Sequence, residues 1–288
     1  MTHYPDLTAL IRDRKTALAN GPIALILIED AIEVPGTIRH HLSLGFGTTI
    51  VLGLPDLVLP ADLSDQVIRV DCDVTADAAL MKIINKLIPA APDRWFYYCY
   101  NAEYLFYPFS EHRSVGEMLR FVSEERRDVV VSYVVDLYAG DLHQNPEGVA
   151  IDDAYFDGSG HYALAREDDT GQPLERQVNV FGGLRWRFEE HIAQDRRRID
   201  RAALFRATAG LHMLPDRSFN LPEHNTVECP WHNSLTAAVA SFRTAKALRR
   251  NPGSRDTIES FRWQQSERFN WHAQQLLDTG WMEPGQWF

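Results

Sequence analysis

The sequence predicts an α/β fold with a mainly parallel central sheet, flanking helices and a helical C-terminal section. Three observations carry that expectation. Continuous apolar runs such as PIALILIE (Pro22 to Glu29) and DVVVSYVVDLY (Asp128 to Tyr138) read as strands covered on both faces. Segments with apolar residues at helical spacing lie between those runs. Strand and helix alternate, which is the order that builds a sheet with crossover helices.

Taken in order, Gly21 introduces the first strand, and a short helix starts at Pro35 and stops at Gly45. TTIVLGLP (Thr48 to Pro55) is a second strand and QVIRVDCDV (Gln66 to Val74) a third. Thr75 stands as the cap of a helix whose Leu80, Ile83, Ile84 and Leu87 share one face. Trp95 to Cys99 resumes strand character. Ser114 and Glu117 have the spacing of a capping box, opening a helix that carries Val115, Leu119 and Val122. DVVVSYVVDLY then returns to a buried strand. Residues 140 to 190 are rich in Gly, Asp and Pro, as in AGDLHQNPEG and EDDTGQP, and read as long loops or short hairpins. From Leu235, LTAAVASFRTAKALRR and DTIESFRWQQSERFNWHAQQLLDTG read as two helices divided by NPGS. The expected organisation is one unit over residues 1–288, with an α/β core at about 22–138, a loop-rich part at about 139–233 and a helical section at about 234–288.

Composition bounds the function classes. The chain has 288 residues, 45% hydrophobic and 24% charged, as a soluble globular protein does. No stretch approaches the roughly 18 apolar residues of a membrane span. The N-terminal MTHYPDLTALIRDRK lacks the apolar core of a signal peptide and reads as an amphipathic helix. Cys72, Cys99 and Cys229 make neither a metal spacing nor an even disulfide set, which fits a cytoplasmic location. A net charge of −11 argues against nucleic acid as the main partner. Composition says nothing of oligomeric state.

RWFYYCYNAEYLFYP (Arg94 to Pro108) runs an aromatic strand into a polar step, Asn101-Ala102-Glu103, and five further motifs accompany it. They are IEDAIEVPGTIRHHLSLGF, VVDLYAGDL, DAYFDGSGHY, NVFGGLRWRF and PEHNTVECPWHNSLTAAVASFRTAKAL. In order and spacing this set resembles bacterial family 2-type glycosyltransferases, which have the GT-A nucleotide-sugar-binding fold; the match covers about Ala24 to Trp271. The resemblance implies a nucleotide-diphosphate sugar as donor, a glycan or polysaccharide as acceptor, and Mn²⁺ or Mg²⁺ as cofactor. It makes the loop-rich part the acceptor side.

The chain departs from the family at the metal motif. Tyr100 and Ala102 stand where its two aspartates would be; one residue later, Asn101-Ala102-Glu103 is a degenerate D-x-D with one carboxylate and one carbonyl oxygen. The family's early acidic pair appears as Glu29-Asp30, able to hydrogen-bond a base or ribose, and its next motif is reduced to Asp56 in GLPD. Glu103 and His232 are the metal candidates the resemblance leaves; His224 and His232 are equally readable as structural. Asp136 ends a strand and Asp157 sits in YFDG, each open to a catalytic role near the acceptor or to loop capping and turn formation. Arg185 and Arg187 alternate on an expected strand and read either as a phosphate clamp or as surface charge. A literal D-x-D, Asp71 and Asp73, reads as strand-end and capping chemistry, and His40-His41 as packing and solvent exposure. Two functions stay open: a sugar-transferring enzyme, with one carboxylate as general base for the acceptor hydroxyl, or a silent relative that keeps the fold as a binding or scaffold module.

Overall fold

The structure, a computed structural model, describes residues 2–229 and 232–287. Its first half alternates as expected: β1 (Thr2–Tyr4), α1 (Leu7–Arg12), α2 (Arg14–Ala17), β2 (Ile23–Leu27), α3 (Val34–Ser43), β3 (Thr48–Gly53), α4 (Ala61–Ser64), β4 (Ile68–Asp71), α5 (Ala79–Leu87), β5 (Trp95–Tyr100), β6 (Glu103–Phe106), α6 (Val115–Glu124) and β7 (Val129–Asp136). Shorter elements follow: β8 (Tyr138–Ala139), β9 (Ala154–Asp157), β10 (Tyr162–Glu167), β11 (Pro173–Phe181), α7 (Gly183–Arg187) and β12 (Asp200–Arg206). The last are β13 (Glu228–Cys229), β14 (His232–Asn233), β15 (Ala237–Ser241), α8 (Arg243–Arg250), α9 (Pro252–Arg255), β16 (Ser266–Arg268) and α10 (Ala273–Asp278).

A nine-stranded sheet runs in the order β1-β4-β3-β2-β5-β12-β7-β15-β6. Strands β1, β4, β3, β2 and β5 are parallel throughout, and β15 is parallel to β7. β12 lies antiparallel to β5, so the sheet is mixed where a mainly parallel one was expected. An antiparallel neighbour needs no crossover helix, and the long irregular segment before Asp200 supplies none that the sequence could signal.

The chain packs as two compact units. The first takes the chain up to Tyr104, then His112–Val131 and Ala202–Asn225; the second takes Leu105–Glu111, Ser132–Arg201 and everything from Thr226 onward. Strands β1 to β5 belong to the first and β15 to the second, while β6, β7 and β12 have residues in both. The core of the first unit is the fully covered β2 with its neighbours, from Ile23 to Leu27 and Ile50 to Leu52. Part of the core of the second gathers Tyr138, Leu142, Leu184, Leu248 and Phe261.

Local signals decide several boundaries. The capping box forms as its spacing predicts, with Ser114 Oγ accepting the Glu117 N–H and Glu117 accepting the Ser114 N–H. Gly45 ends α3 at a φ of 80°, a conformation that suits glycine. Thr75 is not a cap: it folds into a turn on Asp73 Oδ1, and α5 begins after Ala78. The N-terminus gives β1 before its helix, with Asp6 as the cap of α1.

The helical C-terminal section is the largest correction. Its first expected helix is divided into buried β15 and helix α8; its second keeps only α10, with β16 paired to β9 before it. An apolar run such as TAAVAS has no periodicity of its own, and the edge of β7 is what recruits it as a strand.

Candidate functional site

The chain leaves β2 through α3 to reach β3 on one side, and reaches β5 on the other side only after β4 and α5. Strand order therefore reverses between β2 and β5. In open α/β sheets the crevice at the carboxyl ends of such a pair is where ligands bind. Glu29 and Asp30 follow β2, and Asn101 follows β5.

Asn101 joins the two strand ends. Its Oδ1 accepts the Glu29 N–H at 2.9 Å, and its Nδ2 donates to Asp30 Oδ1 at 2.7 Å and to the Ile32 carbonyl at 2.8 Å. Asp30 Oδ1 also accepts the Ile32 N–H at 2.9 Å, so one carboxylate shapes the loop after β2. Ala102 sits at a φ of 61°, and its N–H donates to Thr37 Oγ1 at 2.8 Å. Glu103 is fully buried, with Oε2 accepting the Tyr100 N–H at 2.8 Å. The Asn101-Ala102-Glu103 step is thus a tight turn whose two oxygen-bearing side chains hold backbone N–H groups.

Beneath the turn, His41 Nδ1 donates to the Thr37 carbonyl at 2.8 Å, and the ring stacks on Tyr97. Burial drives the His41 pKa down to about 3, helped by neighbouring His40 and opposed by the Thr37 carbonyl and Glu103. His41 is therefore neutral packing. Tyr104 donates to Glu33 Oε2 at 3.2 Å, and burial with the Glu33 charge raises its hydroxyl pKa. Glu29 and Asp30 are half-buried and Asp56 is exposed in the loop after β3. The contacts that gather Glu29, Asp30 and Asn101 do not include Asp56. Asp71 is held by His3 and Arg69 at the end of β4, and Asp73 by the Thr75 turn, as strand-end residues.

In the second unit the candidate charges form two buried ion pairs. Asp136 accepts the Thr244 hydroxyl at 2.7 Å and the Arg185 backbone N–H at 3.3 Å, with the Arg185 Nε 3.4 Å away. Burial pushes the Asp136 carboxyl up, against the pull of Arg185 and Thr244. Asp157 accepts the Tyr138 hydroxyl at 2.6 Å, the Trp263 indole N–H at 2.8 Å and the Arg187 Nε at 2.8 Å. Arg187 also donates to the Phe261 carbonyl at 2.7 Å, and Arg185 to the Arg198 carbonyl at 2.7 Å.

Arg185 and Arg187 lie on helix α7, not on the expected strand, and their guanidinium groups face buried carboxylates rather than solvent. Gly183 makes this possible: at a φ of 62°, a Cβ there would stand 3.0 Å from Asp136 Oδ2. The paired glycines, Gly182 just before the helix and Gly183 at its first position, are the signal. Thr37, Tyr138, Thr244 and Trp263 complete these networks and were not singled out from the sequence; a hydroxyl or indole within a motif carries no mark of the carboxylate it will meet.

His232 begins β14, which pairs antiparallel with β13, and its Nε2 is 3.1 Å from Cys229 Sγ. His224 is buried in the first unit, where desolvation lowers its pKa. Among the described residues, no group of three or more His, Cys, Asp or Glu side chains is placed to hold a metal ion. No helix among them is long and apolar enough to cross a membrane. Comparison with models of known protein families finds no match, and comparison with curated proteins finds none.

Proposed function

We propose that this chain is a glycosyltransferase-type protein that takes a nucleoside-diphosphate sugar in the crevice at the carboxyl ends of β2 and β5. The observation that carries the reading is Asn101 linking those strand ends, which sets Glu29 and Asp30 at the strand-order reversal. Two half-buried carboxylates there can accept from a base or ribose hydroxyl. The order of the sequence motifs supports a sugar as the transferred group and a glycan as the acceptor.

The cofactor implied by the resemblance, Mn²⁺ or Mg²⁺, does not fit the Asn101-Ala102-Glu103 step as it is folded. Asn101 Oδ1 and Glu103 Oε2 each hold a backbone N–H, and only one of the two side chains is a carboxylate. Donor binding here is expected without a metal at that step. The catalytic candidates of the sequence, Asp136 and Asp157, accept from buried arginines, hydroxyls and an indole. A role in proton transfer requires releasing those donors, so we assign both to holding the fold.

That assignment favours the second reading, a silent relative that keeps the donor crevice as a binding module. Calorimetric titration with uridine and guanosine diphosphates and their sugars, with and without Mn²⁺, tests the proposal. Metal-independent binding weakened about tenfold in Asp30→Ala, about 1.4 kcal/mol, supports it. Donor hydrolysis during the titration marks an enzyme; binding without turnover marks the silent relative. Metal-dependent binding lost in Glu103→Ala, or no nucleotide binding, overturns it.

A further inference from the structure

The hairpin of β10 and β11 is a two-stranded sheet, in which β11 is the strand neighbour of β10 among the described residues. β11 is tied down elsewhere. Its Val180 N–H donates to Asp200 Oδ1 at 2.8 Å, and its Val180 and Arg176 carbonyls accept the Ile199 and Val227 N–H groups. β10 is different. Tyr162, Ala163, Leu164 and Ala165 are all exposed, with Leu164 at 55% and Tyr162 at 44%. Natural sheet edges are blunted by lysine, proline, a bulge or an inward charge. These four residues carry none of those, and the register shift against β11 comes only after Ala165.

We infer that this edge pairs with the same edge of a second copy of the chain, antiparallel about a two-fold axis at Leu164. Side chains directly opposite in an antiparallel pair share a face, so a two-fold perpendicular to the sheet must pass through a residue position. Centred on Leu164, the sequence is self-complementary. Leu164 meets its own copy, Ala163 faces Ala165, and the Tyr162 ring faces the Arg166 guanidinium, a cation–π match. Centring on Ala163 brings Tyr162 against Leu164 and forfeits the Tyr162–Arg166 match; centring on Ala165 sets Leu164 against Arg166 and Tyr162 against Asp168. The Leu164 register is the one in which the apolar positions and the Tyr162–Arg166 pair agree.

The axis at Leu164 gives a specific test, because a charge placed there meets itself. Sedimentation across micromolar concentrations should give the native chain twice its 32.9 kDa monomer mass. Leu164→Lys and Leu164→Glu should each run at the monomer mass, and an equimolar mixture of the two should return to the dimer. Because Leu164 is exposed, the far-UV circular dichroism of both variants should match that of the native chain. A native chain that remains monomeric overturns the inference, as it does if the edge takes an extended segment of another protein instead. A dimer that survives both substitutions places the interface elsewhere, and charged variants that stay monomeric when mixed rule out the two-fold at Leu164.

Discussion

The Asn101 turn of the first unit and the Asp–Arg pairs of the second both take polar side chains out of water, and they satisfy them differently. At the turn, an amide and a carboxylate each accept a backbone N–H, so these side chains hold the chain's own loops in place. In the second unit, carboxylates meet guanidinium groups carried on α7, and each arginine also holds a backbone carbonyl. The first arrangement fixes the shape of one loop and leaves Glu29 and Asp30 partly accessible. The second locks segments distant in sequence into one another at the cost of desolvating four charges. Acidic residues at strand ends are thus not equivalent candidates for chemistry: what they bind decides.

The contrast makes its largest prediction at Asp157 and Arg187. Their side chains are 2% and 10% exposed. Arg187→Met alone leaves a buried carboxylate without its cation and should lower stability by about 3–5 kcal/mol. Adding Asp157→Asn should recover most of that loss, because charge rather than packing is what the single change exposes. Urea melts of the two variants check it, and equal losses would mean the contacts of Arg187 matter more than its charge.

The matching change in the first unit is Asn101→Ala. It strands the Glu29 N–H and the Ile32 carbonyl and takes one donor from the half-buried Asp30 carboxylate, which keeps the Ile32 N–H; the cost should be about 2–3 kcal/mol, less than the ion-pair break because no fully buried charge loses its cation. Nucleotide affinity should fall in the same variant, which separates a working crevice from a purely structural turn.

His41 sharpens the comparison through pH. Its folded pKa, about 3, lies below the ordinary value of 6.5, so the unfolded chain takes up a proton first as pH falls. Stability is fully present above pH 6.5 and is lost progressively from there down to about 3. At pH 5 the loss from this group should be about 2 kcal/mol, at roughly 1.4 kcal/mol per unit. A His41→Gln variant should flatten that part of a stability–pH profile. If the slope is unchanged, other groups carry it.

The smallest expected effect is at Ser114, whose exposed capping box depends on no buried charge. Ser114→Ala should lower the melting stability by about 1 kcal/mol and leave nucleotide binding unaltered.

Much of this architecture is legible from residue order alone. Runs such as IALIL and VVVSYVVD, rich in β-branched residues, read as covered strands, Ser114 with Glu117 can form its box locally, and Gly45 ends a helix by its own conformational freedom. Those signals act over a few residues, so the sequence by itself determined the alternating first half and the position of the polar step after β5. Tertiary structure alone decided the rest. Ala237–Ser241 became a strand because β7 offered it an edge, and α7 formed where a strand was expected because Gly183 lets the backbone pass over Asp136. Whether Asn101, Glu103, Arg185 and Arg187 face a ligand or the protein interior was likewise beyond the sequence. Their partners, the Glu29 and Tyr100 amides and the Asp136 and Asp157 carboxylates, are fixed by how strand ends and a helix come together, and a charged side chain reads the same in sequence whichever way it turns.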